Sequence, residues 1–248
     1  HSHTISMAQM RLLLLLLVLM LGPGSIALGQ AGRADLPTID PENVRIVRDT
    51  FGVPHIFAPT DEEAAYGLAY AQCEDMFEQV QKQLLMVSGT QGERKGIDGA
   101  LQDYYLAYIR AEEMVDTAYL HISPKARRVL KAFAMGINTY AMRHQEDWQA
   151  EGLFPINDRQ ILMNSVMTLS GMTGLPNALK TIHEGHPEDY VFPPRFGSNA
   201  FAFAPSKTAS GQTVVVCNPH LGMRGTHSFY EFDLQTEEGW NVHGACFP

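Results

Sequence analysis

Two short stretches carry residue types able to do covalent chemistry: Arg195-Phe196-Gly197-Ser198-Asn199-Ala200 and Asn218-Pro219-His220-Leu221. In the first, a serine follows a glycine. The residues after it, Ala200-Phe201-Ala202-Phe203-Ala204, alternate small and large apolar groups, which predicts a buried strand. Upstream, Val191-Phe192-Pro193-Pro194-Arg195 holds two prolines, which impose extended or turn backbone. Ser198 thus stands where a rigid connector enters a core strand. A plain strand-start serine in a turn fits the same pattern. A chain break between Gly197 and Ser198 would leave the serine a free α-amine, whose unperturbed pKa is roughly 7.7–8.0. Such an amine can deprotonate its own hydroxyl near neutral pH, so that one residue is both nucleophile and base.

In the second stretch, a histidine after proline at a strand end is held stiffly and can point back along the sheet. A surface loop histidine is the alternative, and Asn218 reads as a turn residue. Other chemistries are excluded by spacing. No serine has lysine three residues on, and Ser198 is not in G-x-S-x-G. His183-Glu184-Gly185-His186 is not H-E-x-x-H and reads as solvated connector. Cys73, Cys217 and Cys246 lack metal-type spacing, and their odd number leaves at least one unpaired. An export signal would permit a disulfide, whereas Cys217 and Cys246 lie in apolar, strand-like runs and could equally be buried thiols, so the pairing stays open. The net charge of −9 argues against nucleic-acid phosphates as partners.

In chain order, the framework around these residues begins with Leu12 to Leu21, an unbroken apolar run after Arg11. Gly22-Pro23-Gly24 and the small residues of Ala27-Leu28-Gly29 come next. The run reads as a secretory signal peptide, too short for an ordinary membrane span. Met7 or Met10 would then be the start, with His1 to Ser6 an upstream remnant. Val44 to Arg48 and Val53 to Ala58 predict a strand pair around the turn Asp49-Thr50-Phe51-Gly52. Thr60 with Glu63 forms a capping-box signature for a long helix that ends near Gly89. Gly92 to Gly99 reads as a charged loop, and Leu101 to Leu120 as one helix with Tyr104, Tyr105, Tyr108, Ile109, Met114 and Val115 inward. Ser123-Pro124 opens a helix to about Arg143, and Asn157 or Asp158 opens another. From Gly171 to Pro194 the helical pattern dissolves. Beyond Ser198 the character is β, with strands at Thr213 to Cys217, His227 to Leu234 and Trp240 to Cys246. Asn241 to Pro248 stops in an apolar run, which reads as a truncated C-terminus.

Taken together, Phe196-Gly197-Ser198-Asn199-Ala200-Phe201, Ala204-Pro205-Ser206-Lys207-Thr208-Ala209-Ser210-Gly211 and Asn218-Pro219-His220-Leu221 resemble the start of the catalytic subunit of the penicillin acylase family. That family includes penicillin and cephalosporin acylases and acyl-homoserine-lactone acylases. Val47-Arg48-Asp49 with Gly52-Val53-Pro54-His55-Ile56 resembles its opening hairpin. Ala69-Tyr70-Ala71-Gln72 with Glu74-Asp75 and Phe77 resembles its first long helix, and Phe133-Ala134 with Gly136-Ile137-Asn138 another helix motif. The match spans Val44 to the last residue.

The resemblance implies an α+β chain: a fragment of an αββα N-terminal-nucleophile hydrolase sandwich, with a helix-rich first subunit followed by the first strands of the catalytic sheet. Residues 1–31 would be upstream residues and signal peptide, 32–175 the first subunit, 176–197 a connector or spacer, and 198–248 the truncated start of the catalytic subunit. It implies self-cleavage at Gly197-Ser198, Ser198 as nucleophile, and His220 orienting it through its backbone. The reaction would be hydrolysis of a linear amide, either a β-lactam antibiotic side chain or an N-acyl-homoserine lactone. The oxyanion-hole residues would lie beyond the end of the chain, so the fragment alone is expected to be inactive. Partners would be a small N-acyl amide and the remainder of the catalytic subunit, with neither nucleic acid nor, once the leader is removed, membrane. The location would be periplasmic or secreted. Some relatives bind calcium; Glu146, Asp147 and Glu151 are equally plausible first ligands, and no metal or cofactor is assigned. Phe77, Met135, Met142, Met163, Met167 and Met172 are either acyl-pocket lining or core filler. A non-catalytic envelope protein that keeps the fold is the alternative.

Overall fold

The structure is a computed structural model that describes residues 36–190, 197–222, 224–225 and 228–248. The leader, residues 191–196 of the connector, and His227 lie outside the described residues. The chain divides into two units, residues 1–38 and 39–248. All strands and helices of the described residues belong to the second unit.

The chain is α+β, as expected. Strands β1 (Arg45–Arg48) and β2 (Pro54–Ala58) form an antiparallel hairpin, with Val47 opposite His55. Its turn closes because the Asp49 carboxylate accepts from Phe51 N–H at 2.8 Å and Val53 N–H at 2.9 Å. Much later in the chain, β5 (Tyr230–Thr236) pairs parallel to β2, and β6 (Asn241–Cys246) pairs antiparallel to β5. The order β1-β2-β5-β6 makes a four-stranded sheet. A parallel pair needs a long crossover, and here that crossover holds the helices and a separate two-stranded ribbon.

Helix α1 (Asp61–Met86) covers the inner face of the sheet: Ala64, Leu68 and Ala71 pack on Ile56, Tyr230, Phe232 and Leu234. Thr60 caps it, accepting from Glu63 N–H at 3.2 Å. Glu63 does not complete the reciprocal box; its carboxylate takes Thr60 Oγ1–H and Asp40 N–H instead. The first turn buries Asp61, Glu62 and Glu63. Carboxylates are favoured at a helix N-terminus, and two of these also have cationic partners: Lys125 lies 2.6 Å from Asp61, and Arg128 lies 2.8 Å from Glu62. Both cations come from α5 (Pro124–Arg143), capped by Ser123 with Pro124 in its first turn. Gly136 sits where α5 crosses α1; a Cβ there would lie 2.3 Å from the Tyr66 carbonyl oxygen, so only glycine permits that approach.

Three sequence expectations need correction. Gly92 to Gly99 is not a loop: α2 (Gln91–Lys95) forms there because Asp103, from the following helix, accepts from Gln91 N–H and Gly92 N–H at 3.0 and 2.7 Å. The single helix over Leu101 to Leu120 is two, α3 (Ile97–Tyr108) and α4 (Ala111–His121), broken where Arg110 turns left-handed at φ 54°. With the break, Tyr105 and Val115 are buried, whereas Tyr104, Tyr108 and Met114 face solvent. The Gly171 to Pro194 segment contains α7 (Leu175–His183), which comes directly after α6 (Asp158–Gly171). Asn157, not Asp158, is the cap of α6, with Gln160 completing a reciprocal box. No helix of the described residues is long and apolar enough to cross a membrane.

Candidate active site

Ser198 opens β3 (Ser198–Phe203), which pairs antiparallel with β4 (Val214–Pro219) to make the two-stranded ribbon. The connecting segment contains a short 3-10 turn at Pro205–Lys207 and is closed by Thr208 Oγ1–H donating to the Gln212 carbonyl at 2.7 Å. The register sets Ser198 opposite Pro219 and Asn199 opposite Asn218. Asn218 is thus a paired strand residue rather than a turn residue. The expected burial of this strand does not occur: all residues of β3 and β4 are exposed, Cys217 included. Apolar alternation is there, but among the described residues no helix layer covers either face.

The register brings His220 beside the Gly197-Ser198 bond. His220 N–H donates to the Gly197 carbonyl at 3.1 Å. The His220 ring lies alongside Gly197, at an ordinary van der Waals distance from where a Cβ would be. Its Nε2 is 3.2 Å from Asn199 Nδ2. Asn199 was not singled out by the sequence; its polar side chain one residue after Ser198 was the available signal. Strand alternation places Asn199, Asn218 and His220 on one face and Ser198, Ala200 and Cys217 on the other. The imidazole is therefore not aimed at the Ser198 hydroxyl, and its backbone is the part of His220 that touches the Gly197-Ser198 bond. Among the described residues no side chain is hydrogen-bonded to Ser198 Oγ.

The remaining expected site features do not gather there. Phe77 and Met167 are buried in separate core clusters, and Met135, Met142 and Met172 lie at the surface. Met163 lines an open cavity of about 560 Å3 whose wall mixes Arg94, Glu112, Glu151 and Arg159 with Leu85, Val87, Val115 and Leu153. A second, apolar cavity of about 340 Å3 lies among Val80, Leu84, Phe133, Ile137, Leu169 and Phe247. Neither contains a residue of the ribbon. Of the calcium candidates, Glu146 and Asp147 come together with His144 at the surface, and Glu151 stands apart from that group. Calcium takes roughly six to eight oxygen ligands. Two carboxylates and an imidazole nitrogen do not fit it, so no metal is assigned.

The front motifs act as clasps. Arg48 pairs with Glu74 at 2.9 Å and Asp75 at 2.6 Å, and Tyr230 donates to Asp75 at 2.6 Å, tying β1, α1 and β5 together. Burial works against the Arg48 cation, but its hydrogen bonds to Glu74, Asp75 and Tyr230 outweigh that and raise its pKa. Gln72 donates to the Phe247 carbonyl at 2.8 Å. Asn138 holds Ile156 through paired bonds of 2.8 Å in both directions, which fixes the segment leading into α6.

The chain is similar to several known proteins. The acyl-homoserine lactone acylase PvdQ of Pseudomonas putida is 24% identical over 230 residues, 80% of this chain and 30% of the relative. The acyl-homoserine lactone acylase QuiP of Pseudomonas fluorescens is 28% identical over 118 residues, 46% of this chain and 15% of the relative. The chain thus spans less than a third of the length of these relatives. A solved structure of thermostable penicillin G acylase from Alcaligenes faecalis superimposes with a TM-score of 0.46 and 20% identity, covering 58% of this chain and 84% of that one. The family model described as penicillin amidase matches residues 43–248, from the turn before β1 through the Ser198 ribbon to the last strand, and the chain belongs to that family.

Proposed function

We propose that the protein carrying this chain is a self-processing amidohydrolase. Cleavage of the Gly197-Ser198 bond makes Ser198 a chain start. Its α-amine then takes the proton of its hydroxyl, which attacks a linear amide, forms an acyl-enzyme and is released by water. The amide is a β-lactam side chain or an N-acyl-homoserine lactone, and the apolar leader Leu12 to Leu21 sends the protein to the periplasm or outside the cell. Residues 198–248 begin the catalytic subunit, and the rest of that subunit is the partner this chain needs.

The observation that carries the reading is the placement of Ser198: exposed, first in its strand, with the Gly197 carbonyl held by a backbone donor. The off-face position of the imidazole supports the α-amine as base. The test is mass spectrometry of the full-length protein with Ser198→Ala beside it. The wild type should yield a subunit beginning at Ser198 and hydrolyse a chromogenic phenylacetyl or long-chain acyl anilide. Ser198→Ala should stay one chain and be inert. An uncut wild type that still turns over the anilide overturns the mechanism.

A further inference from the structure

We infer that the His220 backbone N–H is the donor that stabilises charge on the Gly197 carbonyl oxygen during self-cleavage. This rests on the reading that the chain cuts itself at Gly197-Ser198, and it assigns a part in that step to a backbone atom of His220.

The ladder of the ribbon puts the donor in place. The Gly197 carbonyl is the acceptor in the outermost bond of the ribbon, 3.1 Å from His220 N. Antiparallel pairs alternate between hydrogen-bonded and non-bonded rungs. With Gly197 and His220 on a bonded rung, Ser198 and Pro219 fall on a non-bonded one. Proline has no N–H to give, and at this register none is asked of it. A slip by one residue would put proline opposite Gly197 and leave that carbonyl without its donor. Asn199, 3.2 Å from His220 Nε2, helps fix the strand end in this register.

The chemistry needs a donor at that oxygen. Ser198 Oγ adds to the Gly197 carbonyl carbon, and the C=O electron pair moves onto the oxygen, which becomes negative. The C–N bond to Ser198 breaks as the carbonyl re-forms, and the proton lost by Oγ ends on the Ser198 nitrogen. Water then hydrolyses the resulting ester, leaving the Gly197 carboxylate and a serine with free amine and hydroxyl. The bond to His220 N–H strengthens as charge develops at its acceptor. Preorganised donors of this kind act most strongly on the transition state.

A side-chain variant cannot test a backbone atom. Residue 220 is therefore replaced in the full-length protein by its α-hydroxy analogue, which swaps N–H for an ester oxygen and keeps the imidazole. The control is the same replacement at Val216, which faces Phe201 on another bonded rung of the same ribbon. Cleavage at 197/198 is followed by mass, which separates it from ester hydrolysis. The expected result is a slowing of about 100-fold at 220, the usual effect of losing one such donor, with little change at 216. Equal slowing at both sites makes the bond merely structural and overturns the inference, as does no slowing at 220. In both cases the wild type is still cut and the proposed function stands. A wild type that is never cut removes both.

Discussion

The two β structures of this chain are built from similar apolar residues and end in opposite environments. In β5, Tyr230, Phe232 and Leu234 alternate inward and are 8%, 9% and 4% exposed against α1. In β3, Phe201 and Phe203 alternate in the same way and are 55% and 44% exposed. The difference lies in what each strand is given to pack against. The sheet has a long helix whose N-terminus is pinned by Lys125 and Arg128 and whose middle is clasped by Arg48 and Tyr230. Among the described residues the ribbon has only its own second strand to pair with. Stability is thus concentrated in the sheet and helices, and the residues proposed for chemistry sit on the part that contributes least to it.

The largest test of that contrast is a pair of phenylalanines. Phe232→Ala should destabilise by about 3–5 kcal/mol, as deletion of a buried aromatic does. Phe201→Ala should change stability by no more than about 0.5 kcal/mol. Denaturant unfolding of both variants measures this, and equal losses would mean that the ribbon is part of the core. Next come two glycines. Gly136→Ala forces a methyl against the Tyr66 carbonyl and should destabilise by about 1–3 kcal/mol. Gly197→Ala meets only an ordinary contact with the His220 ring and should leave the melting temperature nearly unchanged.

The smallest effect concerns the thiols. All three cysteines are free. Burial raises the pKa of Cys73, and burial raises Cys246 to about 11 despite the hydrogen bond from Gln72. A raised thiol pKa keeps the unreactive protonated form, so at pH 8 Cys246 is thiolate in about one molecule per thousand. Iodoacetamide at pH 8 should label Cys217 first, and Cys73 and Cys246 only with denaturant. Labelling of Cys246 should rise as pH approaches 11, because deprotonation then becomes favourable in the folded chain. Early labelling of Cys73 would show that α1 opens more readily than its burial implies.

The legible parts of the fold were those governed within a few residues. Thr60, Ser123 and Asn157 announced their helices because a cap bonds to an N–H two or three positions on. The β1–β2 hairpin was legible for the same reason, through Asp49 and Gly52. The break at Arg110 was not, because nothing in its local sequence forbids continued helix. Helix α2 escaped notice because its cap, Asp103, comes from the next helix. In the candidate site, Ser198, Gly197 and His220 could be named from residue type, order and resemblance, whereas the contact of Asn199 with His220 and the hydrogen bond from His220 N–H to the Gly197 carbonyl could not.

Residue order alone was enough to place three of the helices, α1, α5 and α6, to say which strands alternate, and to say that a serine follows glycine at a strand start. Those properties come from backbone dihedrals and side-chain reach over one or two turns. It took the folded chain to establish that β3 lies uncovered, that β5 returns to pair with β2, and that the register sets His220 N–H on the Gly197 carbonyl with its ring on the face away from Ser198. Register and burial depend on what lies across the ladder and above the face, and segments far apart in the chain supply both.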